Sequence, residues 1–127
     1  MINNELFEMG LKIRKEVAGG NLVENSFKNA NEFTMPMQEF VTEFCWGAIW
    51  GRPGLDRRSR SILNLGILSA LNRPEELAGH IRGALRNGIT KSEIQEIFLQ
   101  VSIYVGMPSG LNCFKIANQV FLEDEVK

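Results

Sequence analysis

The chain has one histidine, two cysteines, one tyrosine and four prolines in 127 residues, and each scarcity removes a class of reading. Cys45 and Cys113 lie far apart with no CxxC pair and no cysteine–histidine spacing, so neither a zinc site nor a disulfide framework is indicated. Both read as buried free thiols. No stretch approaches the ~18 consecutive apolar residues of a bilayer-crossing helix, and the start, MINNELFEMG, carries acidic residues and no apolar run of the secretory type. A cytoplasmic protein without membrane contact is expected. Lys and Arg number 14 against 15 Asp and Glu, a net charge of −1 that lacks the basic excess of a nucleic-acid-binding domain. Period-2 alternation bounded by hairpin turns is missing as well, so strands are not expected. What remains is ordinary globular material, 44% apolar and 23% charged, read as one domain over residues 1–127 with a core that needs no metal or disulfide staple.

The apolar residues recur at helical spacing. Leu6, Met9, Ile13 and Val17 form one stripe closed by Gly19 and Gly20. Residues 21–31 are polar and predict only a short connective helix or turn. A stronger helix begins near Met35-Pro36, with Phe40, Val41, Phe44, Cys45, Ala48 and Ile49 on its apolar side. Asp56 is a good N-cap for the next helix, and ILNLGILSAL, residues 62–71, is apolar almost all round, as for a central buried helix. Thr90 and Glu93 form a capping box ahead of Ile94, Ile97, Phe98, Val101 and Tyr104. After the breaker Gly106-Met107-Pro108, a last helix from about Ser109 buries Leu111, Phe114, Ile116, Val120 and Phe121 before an acidic tail, EDEVK. The fold class is all-α, a bundle of six or seven helices.

Residues 72–88, NRPEELAGHIRGALRNG, hold the single histidine. Pro74 suits a first helical turn and Gly88 the left-handed residue that ends a helix. At ~100° per residue, Leu77, Ala78, Ile81, Ala84 and Leu85 make an apolar arc, with Glu75, Gly79, Arg82 and Arg86 opposite. Arg73, Glu76, His80 and Asn87 follow a seam along the border of that arc. Half-buried side chains on such a seam can meet groups from a neighbouring helix. If the chain performs proton chemistry, His80 is the first candidate, because an imidazole titrates near neutrality.

Three other features suit a ligand pocket. Trp46 and Trp50 are one turn apart and offer flat apolar walls, as pocket lining or as packing. Glu43 lies on the same helix, in an i, i+4 pair with Glu39. GRPGLDRRSR, residues 51–60, places four arginines beside a helix start, where guanidinium forks and free N–H groups favour carboxylates. Arg52 and Arg60 are the better candidates, since the consecutive Arg57 and Arg58 cannot both face inward.

Taken together, WGAIWGRPGLDRRSRSILNLGILSALNRPEELAGHIRGALRNGITKSEI, the following QVSIYVGMPSGLN and the earlier EFTMPMQEF resemble the γ-carboxymuconolactone decarboxylase family. The resemblance implies a helical subunit assembling into homo-oligomers, trimers or hexamers, and a decarboxylation in aromatic catabolism by the β-ketoadipate route. A sister branch, the alkyl hydroperoxide reductase accessory proteins, has a CxxC with a histidine four residues later. Aligned on His80, those cysteine positions are Arg73 and Glu76 here, which argues against thiol peroxidase chemistry.

The implied substrate is a small anionic lactone, 4-carboxymuconolactone, with a carboxylate and a carboxymethyl arm on its γ carbon. Loss of CO2 sends electrons through the ring double bond to the lactone carbonyl, and protonation at the α carbon gives the enol-lactone. The lactone is its own electron sink, so no cofactor and no metal is expected. Arg73, Arg52 or Arg60 would hold the carboxymethyl arm, Trp46 or Trp50 would wall the leaving carboxylate, and His80 would deliver the proton with Glu76 orienting the ring. Whether Glu76 itself delivers it stays open. The alternatives are an enzyme of the same fold acting on another lactone or keto acid, and a non-catalytic or redox helical oligomer.

Overall fold

A computed structural model describes residues 3–126, and every regular element among them is helical. Lys127 of the acidic tail lies outside the described residues. Contacts divide the chain into two compact units, Met1–Asp56 and Arg57–Lys127. None of the described helices is long and apolar enough to cross a membrane.

In the first unit, α1 (Asn4–Ala18) starts at the N-cap Asn3, whose Oδ1 accepts the Leu6 N–H at 3.0 Å, and stops at Gly19, φ 102°. Helix α2 (Gly20–Lys28) is more regular than its polar sequence predicts, although Val23 is its only fully buried residue. Helix α3 (Met35–Phe40) runs into a π-helical segment, Val41–Ile49, whose winding carries on to the Trp50 N–H, bonded to the Cys45 carbonyl at 3.0 Å. This winding overturns half of the expected apolar face, leaving Val41, Cys45 and Ala48 half-buried. Thr42, Glu43, Trp46, Gly47 and Trp50 are buried, whereas Phe40, Phe44 and Ile49 are exposed. A wheel drawn at an α-helical pitch misplaces a segment whose bonds span five residues, because the inward stripe drifts with every turn.

Glycines set how closely α1 crosses the π segment. A Cβ on Gly10 would run into the Thr42 carbonyl, and one on Gly47 would lie 2.5 Å from the Leu6 carbonyl oxygen. Beyond the crossing, Ile13 and Val17 pack with Trp46 and Trp50 as the core of this unit.

The second unit contains α4 (Arg57–Ala70), α5 (Pro74–Arg86), α6 (Lys91–Tyr104) and α7 (Met107–Val126). Its core is built from Leu65, Leu77, Ile81, Ile94, Phe98 and Val120 with small residues between them. Full burial of a side chain such as Ile81 or Phe98 stabilises by about 1.5–3 kcal/mol. Asn72 takes the left-handed conformation, φ 56°, its N–H bonded to the Ser69 carbonyl and the Arg73 N–H to that of Leu68. That pair of bonds closes α4 as a Schellman turn and lets Pro74 open α5 at once. Gly88, φ 90°, closes α5 as expected, and both halves of the Thr90–Glu93 capping box are formed.

Three apolar expectations fail here. In α4 only Ser61, Leu65 and Ser69 are buried, while Ile62, Leu63 and Ile67 are exposed, so this is not a helix buried all round. Tyr104 and Leu111 are also exposed, at 83% and 73%. Helix α7 begins at Met107, two residues before Ser109, and buries Gly110, Cys113, Ala117 and Val120 instead of Leu111. The inward positions of α4 and α7 are held by small residues because neighbouring helices approach closely. Ser69 Oγ meets the Cys113 thiol at 3.2 Å, and a Cβ on Gly110 would collide with Ser102.

Candidate active site

The border seam on α5 survives folding with a gradient of burial. Arg73, the N-cap residue, and Glu76, in the first turn, are exposed, and His80 and Asn87 are half-buried. Glu75 and Glu76 sit where the helix N-terminus favours negative charge. His80 follows Glu76 by one turn. Burial pushes the imidazole below its ordinary pKa of 6.5, and the Glu76 carboxylate acts against that shift. The ring is therefore mostly neutral at pH 7, with a carboxylate beside it that favours its protonated form.

Asn87, at the far end of the seam, has a structural task. Its Nδ2 donates to Ser61 Oγ at 2.8 Å and reaches the Arg57 carbonyl at 3.4 Å, fastening the end of α5 to the first turns of α4. Arg58, also on that first turn, pairs with Glu93. Its hydrogen bond, followed by the Thr90 N–H, draws the Glu93 carboxyl down to about 2. Arg58 is thus committed to joining α4 and α6, and Arg57 and Arg60 share its half-buried helix start. Within this unit the structure brings Arg73, Glu76 and His80 onto one seam and leaves Arg60 on another helix.

Arg52, Glu43, Trp46 and Trp50 belong to the first unit. Arg52 is exposed, after the turn that ends the π segment, where its N–H bonds the Ile49 carbonyl at 3.0 Å. Glu43 is buried, and its Oε1 accepts the Asn3 N–H at 3.0 Å, so this carboxylate is spent on the start of α1. The two indoles stack with centroids 4.9 Å apart and planes at 29°. At 6% exposure each, they are packed into the core of their unit, the packing alternative of the two roles open to them.

The sequence reading passed over Arg14. It is 8% exposed and lies on the inward stripe of α1, Gly10, Ile13, Arg14 and Val17. Its Nη1 donates to Thr42 Oγ1 at 3.0 Å, and its guanidinium carbon lies 5.7 Å from the Phe27 ring centroid. Desolvation disfavours its charge, and the neighbouring Cys45 acts weakly against that shift. The signal was legible, since an arginine at i+4 of a Gly10, Ile13, Val17 stripe falls inside the apolar arc.

Comparison with known proteins places these observations. Over 125 residues, 98% of this chain and 87% of the relative, the sequence is 44% identical to nitrosuccinic acid decarboxylase npaB of Metarhizium robertsii. It is 39% identical over 121 residues, 95% of this chain and 90% of the relative, to 4-carboxymuconolactone decarboxylase of Acinetobacter baylyi. An uncharacterized 15.0 kDa protein from the nqo9-nqo10 intergenic region of Paracoccus denitrificans is 35% identical over 88 residues, 67% of this chain and 65% of the relative. Residues 36–119, which include the π segment and the whole α5 seam, match the carboxymuconolactone decarboxylase family. On that match and on two relatives of near full-length coverage, the chain belongs to the carboxymuconolactone decarboxylase family.

Proposed function

We propose that the chain is a carboxy-lyase for a small dicarboxylic acid that carries its own electron sink, with His80 as proton donor and Glu76 as the group that orients and charges it. The observation that carries this reading is the half-buried, mostly neutral imidazole one turn from an exposed carboxylate, inside the segment that matches the family. The first substrate is 4-carboxymuconolactone, the acid named for the relative at 39% identity. The bond from the γ carbon to its carboxylate breaks, CO2 leaves, and the electron pair moves through the ring double bond onto the lactone oxygen. His80 then gives a proton to the α carbon and is recharged from water. A dianionic substrate next to the imidazole raises its pKa, so the protonated form gains population where it is needed.

The relative at 44% identity, named for nitrosuccinic acid, supports a second substrate by the same logic. In nitrosuccinic acid one carbon bears a carboxylate, a carboxymethyl arm and a nitro group. In 4-carboxymuconolactone one carbon bears a carboxylate, a carboxymethyl arm and the vinylogous lactone. The shared element is a substituted succinate whose electron sink differs. One cation for the arm and one proton donor near the sink would serve either acid, while the pocket walls discriminate between them. Arg73, at the head of the seam, is the first candidate for the arm, with Arg60 of the same unit behind it. Assembly into a homo-oligomer in the cytoplasm belongs to the same reading.

The test is CO2 release by the purified protein supplied with each acid in turn, with ultraviolet absorbance following the lactone and the nitro compound. Turnover of at least one acid, abolished by His80→Gln, is expected. Consumption of neither acid would overturn the assignment. Full activity in His80→Gln would remove the histidine from the chemistry.

A further inference from the structure

Arg14 is more than nine-tenths buried as a residue, and its charge is unmatched. Among the described residues no carboxylate is in ion-pair contact with it. The carboxylate nearest in sequence to its Thr42 partner, that of Glu43, is turned to the Asn3 N–H instead. The neighbouring thiol of Cys45 supplies no counter-charge, because burial pushes its pKa up and keeps it protonated. A buried ion without a partner is costly, and replacing it by an apolar side chain of similar volume usually costs little. Packing alone therefore does not explain an arginine at this place.

The hydrogen bonds define what is left over. Nη1 is held by Thr42 Oγ1, whose own hydrogen goes to the Gln38 carbonyl at 2.7 Å, so the hydroxyl is oriented before any ligand arrives. The Phe27 ring lies 5.7 Å from the guanidinium carbon. Neither Nε nor Nη2 is sealed off without a partner, and among the described residues neither has a protein acceptor. These two N–H groups form the side-on edge of the guanidinium, whose spacing matches the two oxygens of a carboxylate. We propose that Arg14, pre-oriented by Thr42, is a carboxylate-binding residue that takes one carboxylate of a small organic acid on its Nε–Nη2 edge. The choice of a small acid as ligand rests on the decarboxylase reading, whereas the unmatched guanidinium does not.

Succinate is the probe, titrated into the whole protein at constant ionic strength while the melting temperature is followed. The wild type should be stabilised saturably, and Arg14→Met should raise the half-saturating succinate concentration at least tenfold. Arg14→Lys keeps a charge without the fork and should fall between them. If Arg14→Met fails to fold, Arg14→Lys and Thr42→Val carry the test, each expected to weaken succinate severalfold. No response in the wild type, or equal responses in wild type and variants, overturns the proposal. A change of oligomeric state in Arg14→Met with the succinate response intact also overturns it, since the acceptor is then a carboxylate of a second copy. Decarboxylation is read separately: absence of CO2 release with an Arg14-dependent succinate response overturns the enzyme reading and leaves the site standing, and turnover with no such response does the reverse.

Discussion

The carboxylate of Glu76 and the imidazole of His80 stand one turn apart on α5, and Glu76 acts on the ring in the direction opposite to its burial. Burial prevails, so the proton-transfer candidate rests in its neutral form. Because the chain has a single histidine, its titration is directly observable in the imidazole carbon-proton NMR signals. The midpoint should lie below 6.5, and Glu76→Gln should lower it further by removing a carboxylate that raises it. A midpoint at or above 6.5 in the wild type would contradict the burial described here. A well-placed general acid contributes about 10² to 10⁴ in rate, so His80→Gln should lose at least that factor in kcat. In Glu76→Gln the pH limb of the activity should move with the NMR midpoint.

The same shift couples stability to pH. The unfolded imidazole binds its proton at about 6.5 and the folded one only at lower pH, so between those values the unfolded chain holds more protons. His80 therefore contributes stability that is complete above 6.5 and is lost as pH falls through the folded value. Melting curves between pH 8 and pH 5 should show this as a falling melting temperature on acidification. His80→Gln should flatten that slope, and an unchanged slope would show that other groups dominate it.

Much of the second unit was legible because its signals are local. Pro74, Gly88 and the Thr90–Glu93 box fix helix ends through their own backbone chemistry, and the α5 arc follows from a simple period. The first unit was less legible, since a π winding leaves no composition mark and turns Phe40, Phe44 and Ile49 of the expected face outward. The seam residues His80 and Glu76 could be found from type and spacing. The Asn87 clamp on Ser61 needed a partner from a helix 26 residues away. Glu43 illustrates the same limit: a carboxylate reads alike in sequence whether it faces a ligand or an N–H 40 residues distant.

The close crossing of α1 and the π segment rests on two missing side chains. Gly10→Ala would drive a Cβ into the Thr42 carbonyl, and Gly47→Ala would set one 2.5 Å from the Leu6 carbonyl oxygen. Backbone atoms cannot swing aside as a side-chain tip can, so the helices must separate. Overpacking of this kind costs about 1–3 kcal/mol. Denaturant unfolding should show that loss for either variant, whereas Gly20→Ala, with nothing within 4 Å of the added carbon, should be close to neutral. Wild-type stability in Gly10→Ala would mean that the crossing is looser than described.

The apolar residues that α4 does not bury make the last prediction. Leu63 and Ile67 on α4 and Leu71 in the turn just after it recur every four residues and are exposed at 53%, 44% and 62%. On α6, Leu99 and Ile103 repeat the pattern at 48% and 70%. Isolated exposed leucines need no explanation, but apolar stripes at helical spacing on two helices of one unit are the kind of surface that marks a protein contact. A stripe of this form suits the self-complementary contacts of a symmetric homo-oligomer. Light scattering at micromolar concentration should give a mass that is a multiple of 14.3 kDa. Ile67→Glu sets a charge in the middle of the α4 stripe without touching the buried face formed by Ser61, Leu65 and Ser69. It should shift the population toward monomer while the far-ultraviolet helical signal is retained. A wild type that is monomeric at that concentration, or an Ile67→Glu variant with an unchanged mass, would show that this stripe is not the contact that joins the copies.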